Sequence, residues 1–432
     1  MQVGAFRALV AVMTVAVVIA FTGAARAAGL PPPTDLPKQV GANPAQADVA
    51  VIRKYNDWFK YSASIEKAWQ VSAVPENPLQ VSIHRRTAQS GEPVRRVFVL
   101  YPRQSSAYDI AITAILRVFE EKDVNAEMTV VNFEVDDKRG SEALRLAEAN
   151  RSGLIFAMGS ESAAWLFAHY HGGTIPVVTV CSKDPVELKQ MPDYESGSGT
   201  NFAFTSLNMP VMAQMAYVRQ LKPKLQNLTI LVDATNTSAV ETQAKPIADY
   251  AKKNDIEVIM GAVQNPGNVR EELSHIVDGA VRTMRKNDPE LNNSLFWLTG
   301  STSVFQQIAT INKYSDRVPV VSVVPEVVKE GPDTAVLAIG ISFDSNAHLA
   351  AIYGANILAG RAKVGELKVG LVSPPDISIS FLKAREIAML VPFSFFEAAS
   401  FVYDYDGRAV RAVASQDVAS DTPAANGPPG AK

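Results

Sequence analysis

The chain has 432 residues, 47% hydrophobic and 20% charged, with 41 basic and 44 acidic side chains and a formal charge of −3. This is ordinary globular composition, over a length that suits about two domains, and it excludes disordered and fibrous classes. The slightly acidic balance offers no basic patch or stripe, so a nucleic-acid partner is not expected.

Residues 1–27 carry Arg7 as a positive start, an apolar run from Ala8 to Phe21, and Ala25 and Ala27 as small residues at a cleavage site. The pattern is that of a secretory signal, and the run is short of the roughly 20 residues a membrane span needs. A cut before Ala28 removes Arg7 and Arg26 and no acid, which moves the formal charge from −3 to −5. Cys181 is the single cysteine, so no intrachain disulfide can form and no cysteine follows the signal to carry a lipid. The mature form is expected to be a soluble monomer in the periplasm.

Residues 28–92 begin as a proline-containing linker. Ile52, Tyr55, Phe59 and Ala63 then recur at helical spacing, which predicts one amphipathic helix, either packed on the main body or offered to a partner.

After Pro93, strand and helix patterns alternate in the manner of an α/β protein with parallel sheets. The expected strands are Val97–Tyr101, Glu127–Phe133, Gly153–Gly159 and Ile175–Cys181, followed by a small, polar crossing at Tyr194–Asn208. A second series follows at Leu228–Asp233, Ile256–Val263, Ser294–Gly300 and Val318–Val324. The segment Val336–Asp344 then leads into a helix from about Asn346 to Leu358, and the chain ends in an Ala-, Pro- and Gly-rich tail expected to be disordered. The fold class is therefore α/β, with two doubly wound Rossmann-like lobes and a small polar crossing between them.

In open parallel sheets, ligands bind beyond the carboxyl ends of the strands, where helix N-termini offer N–H groups. Five such turns are small and polar here. They contribute Ser105, Ser106 and Tyr108; Ser160 and Glu161; Ser182 and Asp184; Asn236, Thr237 and Ser238; and Ser301, Thr302 and Ser303. Each hydroxyl or amide could equally be a plain helix cap, but five turns of one chemical type suggest a shared cleft between the lobes. The candidate ligand contacts are Ser105, Ser106, Tyr108, Ser160, Glu161, Ser182, Asp184, Asn236, Ser301 and Thr302, with Asp184 or Glu161 available to meet an amine.

Catalytic and metal motifs are not found in the sequence: it has no G-x-S-x-G, H-E-x-x-H, Walker or G-x-G-x-x-G pattern after a strand. Cys181 with His169 or His171 is a conceivable nucleophile pair, but a buried, inert thiol is the simpler reading. The five histidines are scattered, so neither a metal nor a cofactor is expected.

The segments "IPVVTVCSKDPVEL", "GSGTNFAFTSLN", "LKPKLQNLTILVDATNTSA" and "AIGISFDSNAHLAAIYGANILAGRAKVGELKVG" resemble, in order and spacing, the ABC-transporter substrate-binding proteins of the periplasmic type I class, tryptophan- and tyrosine-uptake-like branch. The resemblance runs from about Arg95 to Arg408. It implies a two-lobed clamp with hinge strands near Thr205, Val324 to Val336 and Leu371 and a ligand cleft between the lobes, closing on a small organic solute, amino-acid-like or carboxylate-bearing, and docking to a membrane permease of an ABC importer. The expected division is 1–27 signal, 28–92 extension, 93–206 lobe 1, 207–322 lobe 2, 323–410 hinge crossings and elements returning to both lobes, and 411–432 tail. A sensory binding protein beside a histidine kinase or chemoreceptor, and a periplasmic enzyme on the same scaffold, are the alternatives to transport.

Overall fold

The computed structural model describes residues 52–87 and 93–412, so the expected signal, the proline-containing linker and the tail beyond Ala412 lie outside the described residues. Strands β1 (Ile52–Lys54) and β2 (Lys60–Ser62) form a small antiparallel pair, and β3 (Trp69–Ala73) and β4 (Gln80–Arg85) form a second. This corrects the helix expected from Ile52, Tyr55, Phe59 and Ala63. Phe59 is buried with its ring against Tyr101, and Tyr61 is buried with its ring against Phe59, while Ile52 is exposed, so the spacing arose from tertiary contact and not from one helical face.

Lobe 1 is a seven-stranded sheet. It adds β5 (Arg95–Tyr101), β6 (Ala126–Asn132), β7 (Leu154–Met158), β8 (Val177–Val180) and β9 (Phe202–Ala203) in the order β3-β4-β6-β5-β7-β8-β9. β6, β5, β7, β8 and β9 run parallel to one another, and the extension supplies the antiparallel edge through β4 on β6. Val97, Val99 and Tyr101 join one core cluster and Phe98 and Leu100 the other, as alternation requires of a strand buried on both faces. Between the strands run α1 (Ser106–Glu121), α2 (Asp137–Ala149) and α3 (Gly159–Tyr170). α1 lies on one face of the sheet, and α2 and α3 lie on the other.

From β10 (Thr205–Ser206) the chain enters lobe 2 through α4 (Val211–Leu221). Lobe 2 is built on β11 (Asn227–Asp233), β12 (Glu257–Val263), β13 (Ser294–Leu298), β14 (Val320–Ser322) and β15 (Leu337–Gly340). Its helices are α5 (Thr237–Ala239), α6 (Lys245–Lys253), α7 (Val269–Met284), α8 (Thr302–Phe305) and α9 (Ile308–Tyr314), with a π-helical stretch, Val240–Ala244, between α5 and α6.

After β15 the chain returns to lobe 1 as α10 (Phe343–Leu358), which packs on α1. β16 (Gly370–Leu371) pairs in parallel with β10, and the chain crosses once more to β17 (Asp376–Ser380), α11 (Phe381–Glu386), α12 (Phe393–Ala398), β18 (Phe401–Tyr403) and β19 (Ala409–Ala412). The second sheet then reads β12-β11-β13-β14-β15-β17-β18-β19.

Two of the implied hinges coincide with the paired strands β10 and β16. The third does not lie at Val324 to Val336. That segment joins β14 to β15, which are neighbours in one parallel sheet (Val321 opposite Leu337), and the crossing follows at residues 341–343. The expected tail also starts later than 411, because Arg411 pairs with Val402.

Candidate functional site

The turn after the carboxyl end of β8 on lobe 1 meets the turn after that of β13 on lobe 2 through Lys183 and Gly300. At the end of β5, Ser105 caps α1 by accepting from the Ala107 N–H (3.3 Å). The Tyr108 ring is buried edge-on against Tyr101, whose hydroxyl donates to the Tyr108 carbonyl (3.2 Å). Its hydroxyl lies over Gly159, where a Cβ would sit 2.0 Å from that oxygen, and Gly159 has φ +72°, so only glycine fits there. Tyr108 therefore belongs to the lobe 1 core more than to an open wall, although the sequence placed it on the ligand.

α3 begins at Gly159 with no side-chain cap from Met158. Ser160 Oγ instead accepts from the Lys183 N–H (2.9 Å) and meets Ser182 Oγ at 3.5 Å. Glu161 forms an ion pair with Arg103. Burial raises the Glu161 carboxyl above the usual range against the opposing pull of that guanidinium.

At the end of β8, Cys181 turns the chain with φ +52°. Its N–H donates to Asn346 Oδ1 (2.7 Å), and burial pushes its thiol far up, so it is a protonated, inert thiol and not a nucleophile. Asp184 is buried and fully engaged: Oδ1 accepts from the N–H groups of Val186 (2.9 Å) and Glu187 (3.1 Å), and Oδ2 accepts from Tyr194 Oη (2.9 Å) and Ser206 Oγ (3.4 Å). That carboxylate ties the β8 turn to the crossing strand β10.

On lobe 2, Asn236 caps α5 by accepting from the Ala239 N–H (3.1 Å). Asp233 accepts from the Thr235 N–H and from Ser303 Oγ (2.5 Å), and Ser301 Oγ accepts from the Asp233 N–H (3.3 Å). Thr302 opens α8, half-buried. The ten predicted residues lie in the turns and first helical residues that follow β5, β7, β8, β11 and β13. Most of their polar atoms order the turns themselves.

Three residues that the sequence did not single out connect the lobes. Lys183 reaches from lobe 1 to the Gly300 carbonyl of lobe 2 (3.4 Å), and Gln243 Oε1, in the π-helical stretch, accepts from the Gly300 N–H (2.8 Å). Gln243 Nε2 meets Asn208 Oδ1 (3.4 Å), and the Asn208 N–H donates to Ser206 Oγ. A chain of hydrogen bonds thus runs from Asp184 through the crossing into lobe 2 and returns through Lys183. Only the lysine, set among apolar and small residues at a strand end, gave a signal that could have been read.

The buried Asn346 on α10 binds the crossings together. Its Oδ1 also accepts from Thr205 Oγ1 (3.2 Å), and its Nδ2 donates to the Ser206 carbonyl (3.1 Å). Beside it, Glu326 Oε1 accepts from the Phe343 N–H (2.6 Å). Burial, with Asp376 and Asp344 adding to it, pushes the Glu326 carboxyl up to about 8.

Sequence comparison matches residues 97–399, more than half the chain, to the family described as ABC transporter substrate binding protein. The chain belongs to that family. Members are substrate-binding proteins rather than enzymes, bind small molecules and work with ABC permeases. A tyrosine-binding protein of Clostridioides difficile (strain R20291) is 25% identical over 246 residues, covering 56% of this chain and 65% of the relative, just under two thirds of its length.

Among solved structures, a conserved domain protein from Vibrio cholerae superposes with a TM-score of 0.58 at 17% identity, covering 71% of this chain and 99% of the other. An ABC domain in complex with L-Trp from Streptococcus pneumonia gives 0.57 at 16%, with 72% and 100% covered. The ligand-free, open structure of CD0873 from Clostridium difficile gives 0.53 at 18%, with 69% and 96% covered. These structures share the two-lobed fold of the substrate-binding family.

Proposed function

We propose that this substrate-binding protein is the solute-capturing component of an ABC importer. It acts in the periplasm after removal of residues 1–27, and it binds a small carboxylate-bearing solute, amino-acid-like in size, by closure of its two lobes. The observation that carries this reading is the pair of strand-end turns that meet through Lys183 and Gly300, on lobes joined by three chain crossings. A site at the junction of two doubly wound sheets is where such folds place their ligands. The tyrosine-binding relative and the L-Trp complex support an aromatic amino acid as the first class to try.

Ser105, Ser106, Ser160, Ser182 and Thr302 are the proposed hydroxyl contacts, while Glu161, Asp184, Asn236 and Ser301 shape the walls and Tyr108 backs them from the lobe 1 core. The test is a melting-temperature screen of the purified chain against amino acids, other carboxylic acids, sugars, nucleosides and metal ions. A ligand at a hundred times its dissociation constant adds ~2.7 kcal/mol to the folded state, enough to move the transition visibly. A carboxylate-bearing hit that also shrinks the radius of gyration in solution scattering supports capture by closure. A sugar or nucleoside as the only hit overturns the ligand class.

A further inference from the structure

Lys183 is only 6% exposed, and no ion pair among the described residues includes it. Among the described residues its ammonium has one hydrogen-bond partner, the neutral Gly300 carbonyl at 3.4 Å, and it lies so close to that residue that a Cβ on Gly300 would be 2.4 Å away. The nearby acids are committed elsewhere: Asp184 to four donors, Glu161 to Arg103, and the Cys181 thiol is protonated. An ammonium taken out of water without a counter-charge is costly, and burial accordingly lowers the Lys183 pKa to about 8. The Lys183 backbone is held by α3, whose Ser160 Oγ accepts from the Lys183 N–H at 2.9 Å.

We propose that Lys183 is the charge-selecting residue of the cleft, pairing with the carboxylate of the captured solute. This inference rests on the solute-capture reading and adds to it a residue and a required ligand charge. In this structure the lysine rests on the Gly300 carbonyl. When the solute enters, the carboxylate supplies the missing negative charge at the point where the two lobes meet, so binding and closure use one contact.

Isothermal titration of the full chain tests this with matched probes: L-tyrosine, L-tryptophan, L-leucine and 3-phenylpropionate, each against its carboxamide. The native protein is expected to bind at least one acid tenfold or more tighter than its amide. Lys183→Met and Lys183→Gln are expected to lose tenfold or more in affinity for that acid, to bind the amide as the native protein does, and to melt no lower than native. That combination separates a ligand-pairing charge from a structural one, because replacing an unpaired buried charge by a neutral side chain does not weaken the fold. Undiminished acid binding by Lys183→Met, or equal native affinity for acid and amide, overturns the role of Lys183 and leaves solute capture standing. Failure of the native protein to bind any of the acids overturns the carboxylate pairing and the ligand class together, while a sugar or nucleoside hit in the melting screen would keep solute capture standing.

Discussion

Asn346→Ala removes the amide that joins the crossings to lobe 1. The Cys181 N–H, which donates to Asn346 Oδ1 at 2.7 Å, becomes a buried donor without a partner, and the Ser206 carbonyl loses the Nδ2 donor at 3.1 Å. The Thr205 hydroxyl is spared, because it also reaches the Thr179 carbonyl at 2.7 Å. An orphaned buried N–H costs about 1–3 kcal/mol and a lost hydrogen bond about 0.5–1.5 kcal/mol, so the variant is expected to lose about 1.5–4.5 kcal/mol. Equilibrium urea unfolding followed by tryptophan fluorescence measures that loss as a lower midpoint. The same variant, with fewer ties between α10 and the crossing strands, should show a larger radius of gyration than native without ligand. A loss within ~0.5 kcal/mol, ordinary for a surface substitution, would refute the argument that Asn346 organises the crossings.

Gly159→Ala forces a Cβ into a left-handed position worth about 1–2 kcal/mol of strain and into the Tyr108 hydroxyl as well. Its melting temperature should fall, and adding Tyr108→Phe should restore part of the loss in a double-mutant cycle; strictly additive effects would count against the contact. Burial pushes the Asp109 carboxyl up from 3.8 to about 7, against the opposing pull of Lys60. The fold therefore holds a proton that the unfolded chain has released, and stability should decline as pH rises from about 4 through about 7. Asp109→Asn should flatten that decline in melting curves taken across the window, and an unchanged slope would contradict it. Cys181, buried with its thiol pushed up, should resist a disulfide reagent in the native protein and react at the rate of unfolding; prompt labelling would place it at the surface.

Most parallel strands of both sheets could be read from the sequence because parallel strands buried on both faces are continuous apolar runs: "LIFAM" and "VVTV" are fully buried, as is "SLFWL", whereas the short β9 and the strands β17, β18 and β19 were missed. The extension could not be read in the same way. Four residues at helical spacing were outweighed by rings that wedge onto Tyr101, a contact more than forty residues away in sequence. The turns carrying the site were recognisable from their small, polar residues. Which of those residues would be spent on holding the turns depended on partners distant in sequence, such as Ser206 and Tyr194 for Asp184. Lys183 was overlooked because a lysine on a turn normally extends into water. Here Gly300 approaches from the other lobe and encloses it.

The return of the chain to lobe 1 at α10 also sets the order in which the molecule can be completed. Phe156 and Leu154 at the middle of the first sheet lie against Gly354 of that late helix, where a Cβ would be 2.5 Å from the Phe156 ring. A ribosome that has finished residues 93–206 has made the first sheet but not its cover. The apolar face beside α1 must wait while almost all of the parallel part of lobe 2 is synthesised. Unfinished chains therefore present a sticky surface throughout that interval, which makes this region a natural substrate for chaperones and gives the last quarter of the sequence control over when the first half becomes stable.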